Sequence, residues 1–216
     1  MLDLPADEVH VWLAEASSAH RVEFLLNGAE LARAARLRMP ASRDAYVAAH
    51  GLVRVAVGRY LGADPASLSF DEAEGGKPRL AGAGDGGAPS IRFNLSHAVG
   101  LAAVAVALGR EVGVDVEKLR AVHGAEAVAR RIMTPAEFDR HASLPAGERD
   151  VDLLRVWARK EALVKASGAG VRAPLAELAS EPEAGSRWSV VDLDVPGYAG
   201  AVAAEGPPWR AVVHLA

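Results

Sequence analysis

The chain has 216 residues, half of them hydrophobic, with 24 Lys and Arg against 28 Asp and Glu for a formal charge of -4. That length can bury a core in one large domain or two small halves, and the acidic balance offers no global basic field for a polynucleotide. Cysteine is absent, which excludes disulfides and thiolate metal sites and leaves oxygen and histidine ligands for any metal, a donor set that favours a hard cation.

The N-terminus opens with Asp3, Asp7 and Glu8 rather than a basic leader. No apolar run approaches the ~20 residues of a membrane span. The chain is therefore expected to be cytoplasmic, with neither nucleic acid nor membrane as partner. Arginine greatly outnumbers lysine, so Lys77, Lys118, Lys160 and Lys165 become informative by position.

In chain order, Val9 to Leu13 alternates as a strand and Ala29 to Leu37 reads as a helix bearing Arg33 and Arg36. After Pro40, Ser42 can cap a helix from Arg43 to about Leu61, closed near Gly62. Ser67 to Ala73 suggests a short strand. The Gly-rich segment Ala81 to Pro89 lacks a following Gly-Lys-Ser/Thr and reads as a connector rather than a phosphate loop. Ile91 to Leu95 and Leu101 to Leu108 read as strands flanking Ser96 to Gly100, with Gly113-Val-Asp-Val-Glu117 close behind as a neighbour in one meander. Helices are expected from Ala125 to Ile132, Pro135 to about His141 and Asp152 to Ser167. Thr134-Pro135-Ala136-Glu137 supplies the cap, first-turn proline and early acid of a helix start. Ser186 to Leu193, Ala199 to Ala204 and Ala211 to His214 are strand-like.

A faint repeat links Val99-Gly-Leu-Ala-Ala-Val-Ala-Val to Pro196-Gly-Tyr-Ala-Gly-Ala-Val-Ala, and each half holds a long helix ending at a glycine, Gly62 or Gly168. Chance among Ala/Val/Gly-rich strands and duplication explain the echo about equally. Duplication would give an α+β protein of two similar halves about a pseudo-twofold, each a small antiparallel sheet packed with a long helix, with a site at the seam.

Chemistry concentrates at three places. The strand period of two puts Asp115 and Glu117 on one side and Val114 and Val116 on the other, and helical pitch stacks Trp157, Glu161 and Lys165. Three acids and a lysine are the parts of a magnesium-phosphate site. Alone, Asp115 and Glu117 read as solvent-facing acids, and Glu161 with Lys165 as a surface pair worth ~0.3 to 0.5 kcal/mol. His97, where a strand is expected to end and a turn to begin, is placed for a ligand-facing or structural role. Ser96 lacks the Gly-x-Ser-x-Gly setting of a hydrolase nucleophile, and the other histidines show no metal-ligand spacing.

Phe93-Asn-Leu-Ser-His97, Gly113-Val-Asp-Val-Glu117 and Trp157-Ala-Arg-Lys-Glu-Ala-Leu-Val-Lys165 together resemble, in order and separation, the signature blocks of the 4′-phosphopantetheinyl transferases of the larger, pseudodimeric Sfp-type group. The resemblance extends upstream to Arg43 to Arg54 and Gly76-Lys77-Pro78, so it covers about Arg36 to Gly168. It implies transfer of phosphopantetheine from coenzyme A to a serine of an apo acyl or peptidyl carrier protein, releasing 3′,5′-ADP. It further implies a monomer whose halves, 1–108 and 109–216, carry the coenzyme A 3′-phosphate side and the metal carboxylates with the catalytic helix. By the same resemblance Asp115, Glu117 and Glu161 would hold Mg2+, for which Mn2+ can substitute. Lys165 would stabilise the leaving phosphate, His97 with Ser96 would contact substrate phosphate, and Glu137 would be the general base. Arg43 and Lys77, with Arg36 as a looser candidate, would grip the 3′-phosphate. Ala98 and Gly75 depart from the family pattern. Two other readings stay open: a noncatalytic module that binds coenzyme A or a carrier, and a magnesium-dependent diphosphate hydrolase.

Overall fold

The computed structural model describes residues 1–72, 77–81, 90–170 and 173–216. Gly75, Gly76 and nearly all of the Ala81 to Pro89 connector lie outside them. The first strand is β1 (Glu8–Glu15), followed by helix α1 (Gly28–Ala35), which Asn27 and Glu30 close with a reciprocal capping box. Helix α2 (Pro40–Leu61) starts earlier than expected, because Pro40 opens the first turn where its missing N–H costs nothing, and it stops at Gly62 in the left-handed conformation. The short β2 (Phe70–Glu72) pairs with β3 (Pro78–Leu80), a strand too short to leave a periodic signal.

Strand β4 (Ile91–Ala98) is longer than the sequence suggests. It runs straight through Ser96 and His97 and turns only at Val99-Gly100, so His97 is a strand residue rather than a turn residue. Then come β5 (Leu101–Leu108), β6 (Val112–Lys118), α3 (Ala125–Ile132), α4 (Pro135–Ser143), α5 (Ala146–Ser167), β7 (Trp188–Leu193), β8 (Tyr198–Glu205) and β9 (Arg210–Leu215). Helix α5 begins a turn and a half before Asp152, at a point where the apolar periodicity has not yet begun.

Two main sheets form, ordered β4-β5-β1-β9 and β6-β8-β7. The expected single meander is thus corrected: β6 forms its backbone ladder with β8, not with β4 or β5. The layers follow from alternation along the strands. On β5, Ala102, Val104 and Val106 pack with Ala49, Leu52 and Val53 of α2, while Ala103, Ala105 and Ala107 pack with Val112, Val114 and Val116 of β6. On β8, Val202 and Ala204 face that same inter-sheet core, and Ala199, Ala201 and Ala203 face α5. The order is helix, sheet, sheet, helix, which is why β5 is buried on both faces and reads as an unbroken apolar run. The order and antiparallel pairing of β1-β5-β4 recur in β6-β8-β7, and each of these sheets packs with a 22-residue helix. The last strand, β9, pairs in parallel with β1, so residues 210–215 complete the first sheet, not the second. No described helix is long and apolar enough to cross a membrane.

A polar network fastens β9 at this edge. His10 Nε2 lies 2.7 Å from Glu8 Oε2, and His10 Nδ1 lies 2.7 Å from the Tyr60 hydroxyl and 3.1 Å from His214 Nε2. His214 stacks on Trp12 with ring centroids 4.4 Å apart. Burial first, then the fields of His10 and Arg59, lower the His214 pKa against the opposing field of Glu8. A lowered histidine stabilises the fold when neutral, so this contribution is complete above the unfolded value near 6.5 and is lost as pH falls below it. His214→Phe keeps the stack without titrating. Its thermal midpoint should fall less than that of wild type on acidification through this range; identical acid-side slopes would contradict the assignment.

Candidate active site

The site lies where β4 of one sheet meets β6 and α5 of the other. The outer edge of β6 faces β4 without a backbone ladder, and side chains take its place. Val114 N–H donates to Asn94 Oδ1 at 3.0 Å and Val116 N–H to Ser96 Oγ at 3.4 Å, so two residues at strand spacing on β4 answer two N–H groups at the same spacing on β6. From the other side α5 comes down directly on Gly113, where an added Cβ would stand 2.1 Å from the Ala162 carbonyl oxygen. Only glycine permits that approach, and it brings Glu161 and Lys165 to Asp115.

Lys165 Nζ donates to Asp115 Oδ1 at 2.7 Å, Ser96 Oγ at 3.1 Å and the Val114 carbonyl at 3.2 Å. Ser96 Oγ donates in turn to Asp115 Oδ1 at 2.8 Å. Lys165 therefore turns to Asp115, in place of a surface pairing with Glu161. Asp115 Oδ2 is buried without a partner among the described residues. Burial first, then the charge of Asp115, raises the pKa of both Glu117 and Glu161, while Lys165 acts in the opposite direction on each. The acids thus crowd one another, opposed by Lys165 and, at Glu117, first by Arg120. An unpaired buried oxygen amid excess negative charge suits a hard divalent cation. No three His, Asp or Glu side chains among the described residues are gathered closely enough to enclose one alone, so further ligand positions fall to substrate oxygens and water.

This crowding has a measurable consequence. Because the folded-state pKa of Glu161 is raised, its ionised form costs stability above that pKa, and the cost vanishes below the unfolded value of about 4.5. With divalent cations chelated, Glu161→Gln should melt higher than wild type at neutral pH, and the gap should close on acidification. A variant no more stable at neutral pH would argue against the crowding.

Cavities extend from the acids on two sides. One of about 370 Å³ is lined by Glu161, Lys165, His97, Asn94, Lys77 and His50. It shares Arg33, Tyr46, His50, Pro78 and Leu95 with a neighbour of about 640 Å³ that also reaches Arg36 and Asp71. On the far side, Glu117, Glu161, Trp157, Arg120, Arg131 and Leu175 help line a third of about 670 Å³. At the mouth, His97 has a lowered pKa through desolvation first, then the fields of His50 and Lys165.

Two expected site residues lie elsewhere. Arg43 lines neither linked cavity and pairs with Glu23 at 2.8 Å on the surface. Glu137 does not join the acid cluster. Its Oε2 accepts from Thr134 N–H at 2.8 Å and from Lys160 Nζ at 2.5 Å, and its Oε1 accepts from Ser180 N–H at 2.7 Å. Against burial, these bonds hold its pKa below the usual range. A carboxylate so committed is a poor proton acceptor, and the wholly buried Lys160 shares its structural task by also donating to the Ile132 and Leu175 carbonyls. Asn94, Arg33 and His50 are the residues that sequence reasoning missed. Asn94 stood two before Ser96 on the same strand face, Arg33 three before Arg36 on one helix, and His50 four after Tyr46.

A family model described as the 4′-phosphopantetheinyl transferase superfamily matches residues 111–203, which carry Asp115, Glu117, Glu161 and Lys165. The chain is 37% identical over 224 residues to the 4′-phosphopantetheinyl transferase HetI of Nostoc sp., covering 97% of this chain and 92% of that protein. A 4′-phosphopantetheinyl transferase of Bacillus subtilis is 33% identical over 125 residues, 57% of this chain and 52% of that one. Among solved structures, Thermotoga maritima holo-[acyl-carrier-protein] synthase aligns with 44% of this chain and 62% of its own at 21% identity, with a TM-score of 0.36 too low to bear on the architecture.

Proposed function

This chain belongs to the 4′-phosphopantetheinyl transferase superfamily, and from that premise we infer that it is an enzyme that moves 4′-phosphopantetheine from coenzyme A to a serine of an apo carrier protein, releasing 3′,5′-ADP. The observation that carries the reading is Asp115, one oxygen bonded to Lys165 and Ser96 and the other unpaired, with Glu117 and Glu161 beside it.

Asp115, Glu117 and Glu161, with substrate oxygens and water completing the set, would hold Mg2+, or Mn2+ in its place, which when bound draws charge from the diphosphate and makes its phosphorus more open to attack. Lys165 stabilises the negative charge that grows on the departing 3′,5′-ADP, from a position fixed by three contacts before substrate arrives. His97 donates to a phosphate oxygen from the mouth of the same cavity, and Ser96 acts through Asp115 and Lys165 by holding both. With Glu137 committed to its cap and to Lys160, the carrier serine's proton would pass to a carboxylate oxygen of Glu117 or Glu161 that the cation leaves free. Arg33, Arg36 and Lys77 line the linked cavities and supply cations for the nucleotide's 3′-phosphate. Lys77 is already held by Glu111 at 2.7 Å.

The molecule is read as two halves about a pseudo-twofold, 1–108 and 109–216, with β9 crossing back to the first sheet. Matching strand order supports this, as do the two long helices and the echo, whose Gly100 and Gly197 both have positive φ before β5 and β8. Both walls of the site then come from one chain, so the protein would act as a monomer, in the cytoplasm where coenzyme A and carriers meet.

The test is incubation with coenzyme A, Mg2+ and apo carriers of fatty-acid, polyketide and nonribosomal-peptide type, with each carrier then weighed by mass spectrometry. Modified carrier supports transfer, and chelation should abolish it. Free phosphopantetheine without acceptor would mark a hydrolase, and coenzyme A binding without any product would mark a binding module.

A further inference from the structure

His50 is placed unlike an ordinary helix residue. Glu30 Oε1 lies 3.2 Å from its Nδ1, while Glu30 Oε2 accepts from Arg54 Nη2 and from Asn27 N–H, each at 2.8 Å. Arg54 is 2% exposed. Against burial, the bonds from His50, Asn27 and Arg54 bring the Glu30 pKa down to about 2. An acceptor that is always ionised fixes the tautomer: Nδ1 carries a proton toward Glu30, and Nε2 is the ring's remaining polar atom. The ring is stacked on Tyr46 with centroids 4.0 Å apart, so its plane is set before any ligand arrives. It lines both the cavity that holds Lys165 and His97 and the one that reaches Arg36.

Resting on the coenzyme A reading above, we infer that His50 is a substrate-binding residue that donates from Nε2 to a phosphate of coenzyme A where the nucleotide end passes from one cavity to the other. Donation requires the doubly protonated ring. Charged groups of both signs surround it, the cations Arg33, Arg54, Lys77 and Lys165 and the carboxylates of Glu30, Asp71 and Glu161, with His97 in the same cavity. Binding through Nε2 is therefore linked to pH in a way that arginine contacts cannot produce.

The experiment is calorimetric titration of coenzyme A and of 3′-dephospho-coenzyme A into wild type, His50→Asn and His50→Gln at mildly acidic and mildly alkaline pH. Asn keeps a donor for Glu30 but has nothing at the Nε2 position, whereas Gln restores an amide donor there. A charge-assisted contact predicts that Asn weakens coenzyme A binding about tenfold or more and that Gln recovers part of the loss. Wild type should bind more weakly at alkaline pH, and both variants should show a smaller dependence. A loss confined to coenzyme A assigns Nε2 to the 3′-phosphate, and an equal loss with both ligands assigns it to the diphosphate. Wild-type affinity and pH dependence in the Asn variant would overturn the role of His50 while leaving transfer intact. A wild type that binds coenzyme A but modifies no carrier would overturn transfer and leave His50 standing.

Discussion

Asp115→Asn should lower carrier modification by on the order of 10³ or more, the upper range for losing a preorganised electrostatic group, while the protein stays folded. Asparagine still offers Oδ1 to Ser96 and Lys165, so the seam between β4, β6 and α5 keeps its bonds. The carboxylate's second oxygen, now unpaired, becomes an amide that cannot ligate a cation as an anion does. Removing the charge also relieves Glu117 and Glu161, whose pKa values Asp115 raises, and Lys165 is exposed enough to be solvated alone. The thermal midpoint should therefore move by no more than about 4 °C, equivalent to about 1 kcal/mol in a protein of this size. Mg2+, which should raise the wild-type midpoint, should not raise that of the variant. Turnover within tenfold of wild type would remove Asp115 from the metal site.

Lys165→Met should cost about 10² to 10³ in kcat, with a smaller effect on coenzyme A affinity, because charge on the departing phosphate develops in the transition state. A second readout separates this from simple loss of packing. Lys165 opposes the upward shifts of Glu117 and Glu161, so without it both acids should protonate at higher pH, and the acid limb of the pH–rate profile should move upward. Lys165→Arg should rescue little. The ammonium satisfies Asp115, Ser96 and the Val114 carbonyl from one point, which a planar guanidinium cannot copy. An unchanged kcat in the Met variant would return Lys165 to the surface-pair reading that its spacing from Glu161 first suggested.

The chain alone determined whatever depends on periodicity and local chemistry. The strand period of two told Asp115 from Val114 before any neighbour was known, helical pitch aligned Trp157, Glu161 and Lys165, and the Thr134 to Glu137 cap appears as read. Only tertiary structure decided which faces meet. β5 reads the same whether its next neighbour is β6 or α2, because burial on both faces erases the alternation that would reveal the order of layers. The descent of α5 onto Gly113 turned Lys165 from Glu161, its neighbour at i−4, to Asp115, fifty residues away. The same long-range packing tied Glu137 to Lys160 and Ser180 N–H, which reach it only after α4, α5 and the segment beyond them close together. It also set Arg43 on the surface and brought His50 into the groove. A side chain's charge is written in its own chemistry, but its partner depends on chain segments whose separation in sequence carries no record of their distance in space.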